Sequence, residues 1–386
     1  MNRRRFLLSA TGAAGAAALP LAARAQFNGR FQQPLTIAVN APLSGSGAQG
    51  GREIANGVQG AIDETNRVGG TFGTAFQMRT FDDMDALAQS IVNVQFAAAD
   101  STVVAMVGGY DGSLLAASLQ SYANEQMPLL VAGSTADQVT ARGYRNVWRL
   151  PAKDSVEGQL AADFLARREH PKLVIAVAQE GDYGPDVAQG FVNGAKASKL
   201  NALAYLFPYD KPDYRAAASA LAQKQPDYVY LCGVTASLGP LIPALRAAGY
   251  KGKFGASQGF YNGAALQAYG QDLAGGIIST SAPPLERAPD FANALADFRR
   301  GYAVTTLSAF GYAAAQIVIS AVRRTGATSR LATMTALQAP VQYNTMAGPF
   351  QFTYSGDAID PLVYFYTVTG GKLRFIAPSH VTSFVL

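Results

Sequence analysis

The chain of 386 residues carries 31 basic and 26 acidic residues, a formal net charge of +5, and 49% of it is hydrophobic. Four of the basic residues (Arg3, Arg4, Arg5 and Arg24) fall in the first 25 positions, which hold no acid, so the rest has 27 basic against 26 acidic residues, a net of +1. Its basic side chains are scattered, which excludes a phosphate-neutralising surface and sets nucleic acid aside as a partner.

Residues 1–25 read as an export signal. Paired arginines, one spacer and Phe6-Leu7 resemble a twin-arginine leader, followed by a weakly apolar stretch from Leu7 to Leu21 and the small-x-small site Ala23-Arg24-Ala25. Cleavage after Ala25 delivers the protein to the periplasm. The stretch is too short and Gly-interrupted to serve as an anchor, which needs ~20 apolar residues. Elsewhere Phe310 to Val322 comes nearest, and Gln316 and Ser320 break it.

The remaining length, about 360 residues, exceeds a single hydrophobic core, so two domains are expected. Leu35–Val39 reads as a strand and Arg52–Val68 as a helix stopped by Gly69-Gly70. Strands at Ala75–Phe81, Val103–Val107 and Pro128–Ala132 alternate with helices at Ala86–Ala99 and Ser113–Gln126. The series restarts after Leu150 to Ser155. Strands at Leu173–Ala178, Ala202–Phe207, Tyr228–Cys232 and Phe254–Ala256 alternate with helices at Pro185–Ser198, Tyr214–Lys224 and Leu238–Ala248. Helices at Pro289–Tyr302, Ser308–Arg324 and Ser329–Gln338, a segment Gly348–Tyr354 and a hairpin turning at Gly370-Gly371 complete it. This alternation predicts an α/β protein with two doubly wound parallel sheets. Ligands in such folds sit beyond the carboxyl ends of the strands.

Chemistry-bearing side chains are sparse. Cys232 is the single cysteine, inside an apolar strand, and reads as a buried inert thiol. His170 and His380 have no further ligand at metal spacing, so no metal site is expected. Ser44, Ser113 and Ser134 lack a neighbouring base, so no catalytic residue is assigned.

The post-strand segments carry a resemblance. Ala38-Val-Asn-Ala-Pro-Leu-Ser-Gly45, Asn56-Gly57, Ala61-Ile-Asp-Glu-Thr-Asn66, Val107-Gly-Gly-Tyr-Asp-Gly-Ser113, Arg142-Gly-Tyr-Arg-Asn-Val-Trp-Arg149 and Asp182-Tyr-Gly184 follow one another in order. So do Pro226-Asp-Tyr-Val-Tyr230 and Leu245-Arg-Ala-Ala-Gly249. Together they resemble the periplasmic leucine/isoleucine/valine-binding proteins. The resemblance implies two lobes with a three-crossing hinge that close on a ligand. Lobe 1 would be residues 35–150 plus 280–348, and lobe 2 residues 151–279 plus 349–386. It implies the solute receptor of an ABC importer, a monomer serving an inner-membrane permease and its ATPase, with no cofactor.

The implied ligand site draws on Ser44 and Gly50 in the first loop, and on Tyr110, Gly112 and Ser113 after the third strand. Gly133, Ser134 and Thr135 follow the fourth strand; Tyr183, Val234, Thr235 and Gln258 come from lobe 2. The loop Ser44–Gly51 and the segment Gly112-Ser113 each lead into a helix N-terminus, whose amides and dipole suit a carboxylate. Two departures stand out. Relatives pair the ligand ammonium with an acid near Gln258, where this chain has an amide, and Gly50 replaces a first-loop aromatic. Asp111, Asp137 or Asp182 could supply the charge. The expected ligand is a branched-chain or other hydrophobic amino acid, or equally a related small carboxylate or amide, to which Tyr110, Tyr183 and Tyr261 would admit a ring.

Two other readings have support. Gly45-Ser-Gly-Ala-Gln-Gly50 fits the dinucleotide fingerprint, which would make a twin-arginine-exported NAD(P)-dependent oxidoreductase. The acidic pair Asp82-Asp83 lies more than thirty residues beyond it, against about twenty expected. The same cleft would also serve a sensory receptor that presents ligand to a signalling partner.

Overall fold

The structure is a computed structural model, described over residues 33–181, 183–208, 213–284 and 292–379. The leader and Asp182 lie outside the described residues, as does His380.

The first sheet contains β1 (Leu35–Ala41), β2 (Phe76–Asp82), β3 (Val103–Gly108), β4 (Leu129–Val131) and β5 (Val147–Arg149). Its order is β2-β1-β3-β4-β5 and every pairing is parallel. All residues of β1 and β3 are buried, as a central parallel strand with helices on both faces requires. The connecting helices are α1 (Ala48–Arg67), α2 (Leu87–Ala99), α3 (Gly112–Asn124) and the single turn α4 (Gln138–Ala141).

The second sheet contains β6 (Val174–Gln179), β7 (Ala202–Phe207), β8 (Tyr228–Cys232), β9 (Lys253–Ala256) and β10 (Ile277–Thr280), all parallel. Its helices are α5 (Asp154–Arg168), α6 (Pro185–Ala197), α7 (Tyr214–Gln223), α8 (Thr235–Leu238), α9 (Leu241–Ala247) and α10 (Gly263–Tyr269). The chain then returns to the first sheet. Helices α11 (Ala292–Gly301), α12 (Thr306–Thr325) and α13 (Arg330–Gln338) and the hairpin of β11 (Tyr343–Thr345) and β12 (Gly348–Phe350) contribute Phe298, Phe310, Leu337, Tyr343 and Phe350 to the first core. Finally β13 (Val363–Thr369) and β14 (Lys372–Ser379) add an antiparallel edge to the second sheet, giving the order β14-β13-β10-β9-β8-β6-β7. The polypeptide therefore crosses between lobes three times, after Arg149, after Thr280 and between Phe350 and Val363.

Helix α12 crosses α1 with almost no separation. A Cβ on Gly57 would lie 2.1 Å from the Ser308 carbonyl oxygen, so only glycine fits the crossing. The capping box of Thr305 and Ser308 fixes where α12 begins, and Gly326 at φ +65° ends it.

The expected alternation holds, with corrections in detail. Helix α1 starts at Ala48, so Gly50 and Gly51 belong to its first turn and the loop ends earlier than the sequence suggests. The stretch Leu238–Ala248 is two helices, because Pro240 cannot donate within a continuous one. Strands β5 and β10 and helices α5 and α10 carry too little periodicity to be seen. No helix of the described residues is long and apolar enough to cross a membrane.

Candidate functional site

The ends of β3, β4, β9 and β10 converge on a cleft of about 470 Å³ between the lobes. One wall comes from the first lobe: Tyr110, Gly112, Gly133, Ser134 and Thr135, with Phe310 from α12. The other comes from the second lobe: Tyr183, Val234, Gln258 and Tyr261. Eight residues expected from sequence thus line one cavity. Gln258 Nε2 spans it to Thr135 Oγ1 at 3.4 Å, a hydrogen bond between the lobes.

Four expected residues do not line it. Ser44 is exposed, and its amide and that of Leu43 donate to Asp82 Oδ1. Ser113 is exposed on α3 and accepts from Gln138 Nε2 at 3.3 Å. Thr235 spends its hydroxyl on the Gly259 carbonyl at 2.9 Å, joining α8 to the turn that holds Gln258. Gly50 lies behind the wall: a Cβ there would come within 2.3 Å of the Tyr110 ring. The ring occupies the volume that any side chain at position 50 would need.

The first loop is not an anion site. Asp85 Oδ2 accepts from the Gly47 amide at 3.1 Å and from Ser46 Oγ at 3.2 Å. A carboxylate already sits where the dinucleotide reading places a phosphate, and like charges exclude one another there. The N-terminus of α3 does reach the cleft through Gly112, while Asp111 caps it by accepting the Leu114 amide at 2.7 Å. Thirteen aligned peptide dipoles put partial positive charge at that end.

Asp111, which the sequence suggested, and Asp154, which it did not, line the cleft, and Glu157 lies behind them. Asp154, the first residue of α5, lines the cavity, is 1% exposed, and its Oδ1 has no hydrogen-bond partner. Burial pushes its carboxyl up to about 8, against a lowering bond from Thr135. One turn on, Glu157 is fully enclosed. Its Oε1 accepts from the Gln258 amide at 2.8 Å and from Ser279 Oγ, which is 2.6 Å from Tyr230 Oη. Tyr183 Oη donates to Ser257 Oγ at 2.8 Å and lies 3.4 Å from Glu157 Oε2. Burial raises Glu157 to about 7 despite these donors. Of the acids suggested as substitutes for a charge at Gln258, Asp111 lines the cleft and also caps α3 through Oδ1. Asp137 accepts the Ser155 amide at 3.0 Å.

Arg149 organises the floor from below. Fully buried, it donates through Nη1 to the carbonyls of Thr135 (3.1 Å) and Ala136 (2.6 Å), and through Nη2 to Thr140 Oγ1 (2.7 Å). Those bonds hold the Gly133–Ala136 loop in place. Among the described residues no lysine or arginine lines the cleft. Among the described residues no group of three or more His, Cys, Asp or Glu is placed to hold a metal.

Two parallel-sheet lobes, three crossings and an interlobe cleft define a type I periplasmic binding protein. The chain belongs to that family: the sequence profile described as periplasmic binding protein matches residues 34–372. A Leu/Ile/Val-binding protein of Rhizobium johnstonii is 28% identical over 346 residues, 88% of this chain and 93% of the relative. The branched-chain amino acid transporter substrate-binding protein LivJ of Streptococcus pneumoniae, solved with isoleucine, superposes with a TM-score of 0.77 at 21% identity. That match covers 90% of this chain and 99% of that one. A solute-binding protein of an ABC transporter from R. palustris, solved with benzoate, gives 0.74 at 18% identity over 90% and 97%. Likeness at these identities establishes the fold.

Proposed function

We propose that this protein is the periplasmic solute receptor of an ABC importer, and that it captures a hydrophobic amino acid by hinge closure. The observation that carries the reading is the buried Asp154 carboxyl, whose Oδ1 has no hydrogen-bond partner, in a cleft whose opposite wall presents the N-terminus of α3. A buried acid without a partner is costly, and a ligand ammonium would relieve that cost. The helix end would take the ligand carboxylate. Tyr110, Tyr183, Tyr261 and Phe310 leave an apolar, ring-lined space for the side chain, aliphatic or aromatic. Gln258 brings no charge, and Asp154 supplies it instead.

On this reading residues 35–150 plus 280–348 move as one lobe, and 151–279 plus 349–386 as the other. The leader directs the protein to the periplasm, where it delivers ligand as a monomer to a permease and its ATPase. Calorimetric titration with leucine, isoleucine, valine and phenylalanine tests the proposal, with 4-methylpentanoate and benzoate as acids lacking the ammonium. One or more amino acids should bind tightly and both acids weakly. Tight benzoate binding with no amino acid bound would overturn it.

A further inference from the structure

The three crossings line a second cavity, of about 330 Å³. Leu150 and Ala152 come from the first crossing, Ser281 from the second and Ile359 to Leu362 from the third. Ala347 and Ala358 join Leu150 and Ala152 in an apolar floor under a tenth exposed, with the exposed Ile359 at the rim. Within it, Ser281 is 3% exposed and its hydroxyl has no hydrogen-bond partner. An unsatisfied buried hydroxyl costs free energy that a ligand oxygen or nitrogen would recover. The acidic rim residue Asp360 opposes anions.

We propose that this cavity is a second small-molecule site, taking a neutral, mostly apolar molecule that bears one hydrogen-bonding group for Ser281. Such a molecule touches all three crossings at once. Its fit depends on how they are arranged, and that arrangement must change when the lobes move. Phe310 links the two sites directly, because its buried ring borders both the cleft and this cavity. Occupancy at the hinge therefore biases the open–closed equilibrium and, by linkage, the affinity of the cleft.

Benzyl alcohol is a suitable probe, and the full mature protein labelled at alanine methyls reports where it binds. Ala152, Ala347 and Ala358 line the hinge cavity, whereas Ala132 and Ala136 line the cleft. The expected result is saturable shifts at Ala152, Ala347 and Ala358. Any shifts at Ala132 and Ala136 should share the same midpoint, as transmission through Phe310 requires. Filling the cavity with Ala358→Leu or Ala347→Leu should weaken this binding by about tenfold or more. Shifts confined to Ala132 and Ala136 overturn the proposal, as does the absence of saturation in the unmodified protein. Undiminished binding in either filled variant overturns it as well.

Discussion

Arg149 and Asp357 form an ion pair at the end of β5, tying the floor of the cleft to the segment that leads into the third crossing. Arg149 has no exposed surface, so its charge is tolerated only because Asp357, Thr140 and two carbonyls surround it. Removing one member alone leaves an uncompensated buried charge. Asp357→Asn should therefore cost about 3–5 kcal/mol in urea unfolding. Replacing both, as Arg149→Met with Asp357→Leu, should recover much of that loss. Equal stability of the single and double variants would show that the pair is not what matters.

The same pair carries a pH dependence. Burial works to raise the Asp357 carboxyl, but Arg149, Thr140 and Lys153 together hold it below its ordinary value. A depressed acid contributes stability above its unfolded value, near 3.8, and loses it as pH falls through the lower folded value. Acid unfolding of the wild type should thus be steeper below pH 4 than that of the Arg149→Met, Asp357→Leu variant. Superimposable acid transitions would remove Asp357 from the account.

Gly50 and Tyr110 form a second coupled pair. A Cβ at position 50 meets the Tyr110 ring at 2.3 Å, so Gly50→Ala forces the ring from the cleft wall or the helix from its seat. The expected loss is about 1–3 kcal/mol in thermal or urea unfolding, as for other overpacked sites. Tyr110→Ala in the same chain should relieve most of it, which a double-mutant cycle will read as strong coupling. Additive effects would mean that the ring is free to move aside.

How far the sequence disclosed this protein depends on which signals burial leaves intact. The parallel sheets were legible because β3 and β6 are almost wholly apolar runs, β1 is interrupted only by Thr36 and Asn40, and the intervening helices keep a polar face. The segments after the strands were legible through their resemblance to a known family, and eight of the residues it implied do meet in the cleft. Asp154 and Glu157 were not. They open α5, a helix buried on several sides, where Leu160, Ala161, Ala162 and Leu165 leave no helical period to notice. Two acids in a first turn look like ordinary caps favoured by the helix dipole. Only the packing of α5 under Gln258 and Thr135 shows that they are enclosed. The filling of the glycine loop was hidden for a related reason: the acid that occupies it, Asp85, comes from another strand's end.

Asp154 should lower the stability of the empty protein at neutral pH. Its folded value, about 8, lies above the ordinary 3.8, so the folded state holds a proton that the unfolded chain has lost. Stability therefore falls as pH rises from about 4 to 8 and levels off beyond, the reverse of the Asp357 case. Asp154→Asn removes the penalty while keeping the shape. It should melt higher than wild type at pH 8, with the difference shrinking toward pH 4. A constant difference across that range would indicate a packing effect instead.

Ligand capture should draw on the same carboxyl. In the empty cleft Asp154 is largely protonated at pH 7, and an ammonium seated against it favours the charged form. Binding of an amino acid must then release a proton, so the heat measured at pH 7 should vary with the ionisation enthalpy of the buffer. Affinity should rise with pH by up to about tenfold per unit below pH 8 and flatten above it, until the ligand's own amine deprotonates. Asp154→Asn should abolish the proton release and weaken leucine by more than tenfold, while leaving 4-methylpentanoate nearly unchanged. Loss of both ligands together would point to a disturbed fold of α5. Retention of tight leucine binding with no buffer dependence would place the ammonium elsewhere in the cleft.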